Sequence, residues 1–280
     1  MQSNNPVFRR SEEFNRSPYG GATGYQGYTP TQQYDEFGRQ TVTAPTRGTG
    51  RMTIDSVVQS TAITLGVIML AAAATWILTP GFDDPDAVGV IGAFAMVGAI
   101  AAFALSLVNS FKRSVSPGLV IAFAVAEGVA LGAISKVYDA AFPSDQYGGI
   151  VVQAVFGTAA AFAGTLAAYK YFDIKVGNKF RTIVTACMFG MVALSMLELV
   201  LGIFGSQLGL FGFGPLGLLF AVGGLVLGVF MLVMDFDFVE QGIRNGLPER
   251  ESWRASFALA VSLVWIYTNL LRILAILQQD

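Results

Sequence analysis

The stretch "FGPLGLLFAVGGLVLGVFMLVM", residues 213–234, contains no charged residue and decides the fold class. A helix needs about 20 predominantly apolar residues to cross the hydrocarbon core of a bilayer, and this stretch provides them. Directly after it, Asp235 and Asp237 follow with only Phe236 between them. Two carboxylates at the end of an apolar segment either line an ion path, pair with a cation, or mark the edge of the membrane.

Similar apolar stretches recur from Met52 onward, centred on residues 57–79, 87–109, 117–138, 148–170, 182–204 and 255–277. Backbone groups in lipid must be hydrogen-bonded within their own segment, so these stretches are helices and not strands. Gly224 and Gly228 form a GxxxG step, which predicts close helix packing. We therefore predict an all-α membrane protein, with a seven-helix transmembrane domain over residues 52–280.

Residues 1–51 have a different composition, rich in Gly, Gln, Thr and Pro with interspersed aromatic residues. Such a segment cannot bury enough apolar surface to offset the entropy of ordering it. We predict a disordered tail, which either keeps the chain soluble or serves as a docking segment.

The overall composition excludes several functions. Of the 280 residues, 54% are hydrophobic and 13% are charged, and His is absent, which removes the commonest general base and metal ligand. The single Cys187 cannot form an internal disulfide. A net charge of −2 argues against a nucleic-acid partner, because binding phosphates needs a basic face. We expect no enzymatic activity and no cofactor, and the composition leaves metal binding open.

Charges in the connections alternate along the chain. Acidic residues alone occupy the first and third connections, and basic residues flank the first helix and fill the second, fourth and sixth, including Lys112 and Arg113 in the second. Because basic loops stay in the cytoplasm, the amino terminus should be cytoplasmic and the carboxyl terminus outside, in a multi-pass protein of the cell membrane. This orientation places Asp235 and Asp237 at the cytoplasmic mouth of the sixth helix.

Three further charged residues fall inside predicted helices, where charge is costly and usually functional. At 1.5 Å per residue, Glu127 lies roughly 15 Å deep, and Glu198 and Arg272 both lie roughly 25 Å deep. The matched depth predicts an ion pair between Glu198 and Arg272. Glu127 has no partner at its own depth, so it is either protonated or faces water as part of an ion path.

Residues two apart on a helix point roughly 200° away from each other, so Asp235 and Asp237 cannot both face the interior. The inward one should contact a base at its level, and Lys112 or Arg113 is the nearest by topology. Protonation of this carboxylate would remove the attraction and open the cytoplasmic mouth.

Seven helices combine here with "SPGLVIAFAVAEGVALGAISKVY" (116–138), "GTLAAYKYFDIKV" (164–176), "MDFDFVEQGI" (234–243) and "LLRILAIL" (270–277). This combination resembles the bacterial branch of the Bax inhibitor-1 family, whose members often begin with an "NPVF"-type tail, as this chain does. The resemblance implies a bundle with the last helix in its centre and a pH-sensitive calcium leak.

In that family, an acid at the end of the sixth helix meets an acid on the seventh, and the two titrate as a unit. The sixth-helix acid matches Asp235 or Asp237. The seventh-helix acid is missing, since its position falls near Ser262 in one register and at Asn269 in another. The family also has an arginine near the end of the seventh helix, which Arg272 matches, with Glu198 or Glu127 as its available partner.

Two functions follow as expectations. One is a cation leak, with calcium as the transported ion, gated by protonation of a carboxylate. The other is a non-transporting regulator that docks on a membrane protease or other membrane machinery, as one bacterial member of the family does.

Two other classes of seven-helix protein lack residues that they require. The last helix has no Lys for the Schiff base of a retinal protein, and no second Asp for a presenilin-type protease.

Overall fold

The computed structural model describes residues 33–34, 40–41, 50–143, 148–172, 174 and 176–279. The chain separates into two units, residues 1–46 and residues 47–280. In the first unit, strands β1 (Gln33–Tyr34) and β2 (Gln40–Thr41) pair antiparallel. The rest of residues 1–49, for which we predict disorder, lies outside the described residues.

Within the described residues, seven long helices form the second unit. They are α1 (Ile54–Leu78), α2 (Ala87–Phe111), α3 (Pro117–Ala141), α4 (Ile150–Tyr171), α5 (Asn178–Ile203), α6 (Pro215–Arg244) and α7 (Ser252–Leu277), and a 3₁₀ turn at Glu249–Glu251 precedes α7. All seven are long and apolar enough to cross a membrane. The predicted seven-helix membrane domain is confirmed.

Helix α7 lies in the centre of the bundle. It packs against α1, α3, α4 and α6, and it is the most buried of the seven helices. Helix α2 packs on α3, and α5 packs on α6, so these two helices lie at the periphery. The central position of the last helix, which the family resemblance implies, is therefore confirmed.

Local sequence explains where several helices begin and end. Thr53 caps α1 through a reciprocal pair of hydrogen bonds with Ser56, each side chain accepting from the other's backbone N–H. Helices α3 and α6 begin with Pro117 and Pro215, whose missing N–H costs nothing in a first turn. After α6 the chain reverses at Gly246, whose φ of 63° favours glycine.

Glycines bring pairs of helices into close contact. A Cβ added to Gly228 would lie 2.6 Å from a side-chain carbon of Ile266, so α6 and α7 pack closely there, as the GxxxG step predicts. A second step on α3 has the same role, since a Cβ on Gly128 or Gly132 would collide with the backbone of α1. This α3 step follows from the same spacing rule, but sequence reasoning did not single it out.

Helix α6 continues past the predicted end of its apolar segment, from residue 234 to Arg244. Its 30 residues span roughly 45 Å, more than the ~30 Å hydrocarbon core requires. The reason is that apolar residues continue at helical spacing beyond the acids: Phe236, Val239 and Ile243 join a core cluster with α1 and α7. Asp235 therefore lies within α6, which extends beyond the predicted apolar segment.

Candidate functional site: two polar clusters on the central helix

Asp235 is joined directly to the central helix. Its Oδ2 accepts a hydrogen bond of 2.6 Å from Ser262 Oγ of α7. Ser262 is 1% exposed and Asp235 is half-buried. Ser262 lies ten residues into α7, so the pair is roughly 15 Å from the start of that helix. This carboxylate is thus enclosed in the bundle, close to the level where the family has its second acid.

Asp237 faces a different neighbour. Arg181 of α5 forms an ion pair with it, and Gln241 Nε2 donates a second hydrogen bond of 2.7 Å to the same oxygen. Asp237 is 8% exposed, and the ion pair compensates its burial. The two acids therefore contact different helices, Asp235 contacting α7 and Asp237 contacting α5, so neither of them faces only lipid or water.

The predicted cationic partners, Lys112 and Arg113, are not beside these acids. Both are exposed, and their backbone carbonyls accept hydrogen bonds from Arg254 of α7, at 3.4 and 2.9 Å. Among the described residues, neither takes part in an ion pair with Asp235 or Asp237. The expectation of a Lys112 or Arg113 gate is wrong, because the α2–α3 connection is held by its backbone and its two side chains stay in solvent.

A third acid, Glu240, completes the row of carboxylates on α6. It accepts a hydrogen bond of 2.6 Å from the Tyr169 hydroxyl of α4 and pairs with Arg244 one turn further on. The carboxylates of α6 thus link this helix to α4, α5 and α7. Within the described part of the chain, Asp235 alone among the three has no cationic partner.

The second polar cluster surrounds Arg272 near the other end of α7. Its Nη2 donates to the backbone carbonyls of Leu210 and Gly212, and its guanidinium lies 5.7 Å from the centre of the Phe211 ring. Arg272 is 8% exposed. A buried guanidinium needs acceptors for its donors. The backbone of the α5–α6 connection supplies them to Nη2, while Nε is buried without a hydrogen-bond partner among the described residues.

Glu198 binds the same connection from α5. Its two carboxylate oxygens accept hydrogen bonds of 2.9 and 3.0 Å from the N–H groups of Leu208 and Gly209. Glu198 and Arg272 form no direct ion pair in the described structure, so that prediction is wrong. The physical reason is that the connection between them offers unpaired N–H groups to the carboxylate and unpaired carbonyls to the guanidinium. We call this arrangement of Glu198, Arg272 and residues 208–212 the loop clamp.

Glu127 lies on α3, which packs against α7. It is half-buried and has no hydrogen bond or ion pair to another described residue. Its level along α7 follows from two contacts that bracket it, the Phe123–Phe257 ring contact at 4.9 Å and the Ser135–Tyr267 hydrogen bond at 2.6 Å. Glu127 is therefore close to the level of the Asp235–Ser262 pair along the central helix.

A seam of hydroxyl groups joins α1 to α7, and sequence reasoning missed it. Ser60 Oγ donates to the Ser252 carbonyl at 3.0 Å, Ser56 and Ser252 share a hydrogen bond of 2.7 Å, and Thr64 donates to Ser256 at 3.3 Å. The sequence does carry a signal for this seam, because residues with hydroxyl side chains occur every four positions on α1 (Ser56, Ser60, Thr64) and on α7 (Ser252, Ser256). The seam adds buried polar groups along one face of the central helix.

Comparison with known proteins gives two matches. The sequence profile of the family described as "Bax inhibitor 1 like" matches residues 5–279. An uncharacterized protein of Chlamydia muridarum (strain MoPn / Nigg) is 30% identical over 164 residues, which cover 56% of this chain and 64% of that protein. The chain thus aligns with somewhat less than two thirds of that relative.

Proposed function

The chain belongs to the Bax inhibitor 1 like family, and on that premise we propose that it is a pH-sensitive cation leak whose gate is the Asp235 carboxyl. Calcium is the transported ion that the family resemblance favours. Transport would need no resident metal, and no cluster of three metal-binding side chains is present among the described residues.

One observation carries this proposal: Asp235 is a carboxyl within the helix bundle that contacts the central helix through a neutral hydroxyl. Asp237 and Glu240, in contrast, form ion pairs with Arg181 and Arg244. Ionised Asp235 can only accept from Ser262, whereas protonated Asp235 can also donate to it. Protonation at this position therefore changes both the charge of the bundle interior and the contact that holds α6 to α7.

The same geometry gives a specific form of pH dependence. The family resemblance implies two coupled acids, but in this chain a serine lies opposite the acid. A carboxyl without an acidic partner titrates as a single site, whereas a coupled pair titrates in two steps. We therefore propose that the pH response of this protein is that of one group.

Glu127 supports a conducting role. It lies close to the level of Asp235 along α7, and it forms no ion pair with another described residue. Two carboxyls in the middle of a membrane helix bundle are costly unless cations or water reach them. A path that passes between Glu127 and α7 would bring cations or water to these carboxyls.

Calcium uptake into proteoliposomes of the purified protein tests the proposal. We expect uptake above that of protein-free vesicles, with a pH profile that fits a single titrating group. In Ser262→Asp, which places a second acid beside Asp235, the profile should broaden into two steps, while Ser256→Asp should keep one step.

Uptake no greater than that of protein-free vesicles at any pH would contradict the leak. That outcome would favour the second candidate, a regulator that docks on membrane machinery. No contact within the described residues specifically supports docking, so we place it second.

A further inference from the structure

A large cavity lies between α1, α3, α4 and α7, apart from both polar clusters. Its volume is about 710 Å³, which is within the usual range for ligand pockets. Its wall is mostly apolar, with Met69, Trp76 and Ile77 from α1 facing Val152 and Val155 from α4. Ordered water needs several polar partners, so the apolar part of this cavity does not favour it.

The cavity opens toward the surroundings of the bundle. Several of its lining residues are also exposed, among them Met69 at 61% and Ile77 at 78%. For a helix that crosses a membrane, the surroundings at this depth are lipid chains. The cavity is therefore accessible from the bilayer.

Its length matches one leaflet. On α1 the lining runs from Leu65 to Ile77, which at 1.5 Å per residue is roughly 18 Å. Half of the hydrocarbon core of a bilayer is about 15 Å thick. An extended acyl chain of a membrane lipid would fit along it.

Apart from Thr158, whose hydroxyl donates to the Ala154 carbonyl of its own helix, the hydroxyl and carboxyl groups of the lining lie toward one end of the cavity, where α3 ends and α4 begins. They include the Ser135–Tyr267 hydroxyl pair and the Asp139 carboxyl. Asp139 is half-buried and forms no ion pair with another described residue. The nearby Lys136 does not neutralise it, because its ammonium donates to the Trp76 and Thr79 carbonyls at the end of α1, at 2.9 and 2.7 Å.

We propose that this cavity binds one acyl chain of a membrane lipid with an amine headgroup, whose ammonium pairs with Asp139. The apolar wall takes the chain, and the single carboxylate selects a cationic group over an anionic one. The site shares no residue with the Asp235 pair or the loop clamp.

The headgroup preference is tested by thermal unfolding of delipidated protein in detergent. Phosphatidylethanolamine should raise the unfolding midpoint more than phosphatidylglycerol with the same chains. In Asp139→Asn the difference between the two lipids should disappear. In Asp83→Asn, which changes an exposed acid that does not line the cavity, the difference should remain. Equal effects of both lipids on the wild-type protein would overturn the amine preference and with it the proposal.

The position of the chain is tested by tryptophan fluorescence. Trp76 lines the cavity, whereas Trp253 and Trp265 do not, so phosphatidylethanolamine with brominated chains should quench a component that Trp76→Phe removes. Ala159→Phe, which fills the cavity, should abolish that component. Quenching of Trp76 that persists unchanged in Ala159→Phe would place the chain elsewhere and overturn the proposal. If Ala159→Phe does not fold, the wild-type protein is compared with Trp76→Phe alone. Equal quenching by the brominated lipid in these two proteins would overturn the proposal.

Discussion

Removing the guanidinium from the loop clamp, by Arg272→Met, should destabilise the bundle. The change leaves the carbonyls of Leu210 and Gly212 without their donor, and it takes away the contact with the Phe211 ring. Hydrogen bonds to charged groups contribute about 1.5–3 kcal/mol each. Water can reach part of the connection, so we expect a loss of about 3 kcal/mol and not the full sum.

Glu198→Gln should cost less. The carbonyl oxygen of Gln can still accept from one of the two N–H groups of Leu208 and Gly209, while its amide group cannot accept from the other. One charge-assisted hydrogen bond is lost and the second is weakened. We expect a loss of about 2 kcal/mol.

The double variant distinguishes the loop clamp from a direct ion pair. In a direct pair, Arg272→Met would leave Glu198 as an unpaired buried charge, so adding Glu198→Gln would restore stability. In the loop clamp, Glu198 keeps its backbone partners, so the double variant should be no more stable than Arg272→Met alone. Because both side chains hold one connection, the combined loss should be smaller than the sum of the two single losses.

Unfolding in detergent micelles measures these stabilities, and hydrogen exchange reports on the connection itself. The amides of Leu208 and Gly209 should exchange faster in Glu198→Gln, and also in Arg272→Met, where the other anchor of the same segment is lost. A double variant that is clearly more stable than Arg272→Met would refute the clamp, and so would unchanged exchange at both amides.

Three further predictions concern the fold. Gly132→Leu should lower the unfolding midpoint strongly, because its Cβ would collide with the backbone of Ala72, whereas Gly164→Leu, with open space around it, should change it little. Deleting residues 1–45 should leave thermal unfolding and membrane insertion unchanged, and a large drop in the midpoint would show that the tail packs on the bundle. Lys136→Met should lower the midpoint by removing the cation from the carboxyl end of α1, and Lys136→Arg should retain most of the stability.

Helix number and position follow from the sequence because a bilayer imposes a length of apolar residues that few other structures require. The predicted segments overlap all seven helices. The end of α6 does not follow from hydropathy, since Asp235 and Asp237 interrupt the apolar run. Both can lie in a longer helix because Ser262 and Arg181 bind them, and those partners belong to other helices.

The candidate site shows the same limit. Counting residues along each helix correctly predicts that Glu198 and Arg272 lie at one level, because the rise per residue is fixed. Their actual partners are backbone groups of residues 208–212, and any sequence offers such groups equally. Aligning α7 with the family pattern places the missing acid near Ser262. That alignment does not predict the hydrogen bond from Ser262 to Asp235, because the bond depends on how α6 is rotated against α7.

Calcium uptake into proteoliposomes as a function of pH, compared between the wild-type protein and Asp235→Asn, tests the proposed gate most directly. We predict pH-dependent uptake in the wild type and uptake independent of pH in Asp235→Asn. Asp237→Asn should keep the pH dependence and lose stability instead, because Arg181 then has no carboxylate beside it. Uptake in Asp235→Asn that follows pH as in the wild type would contradict a gate at Asp235.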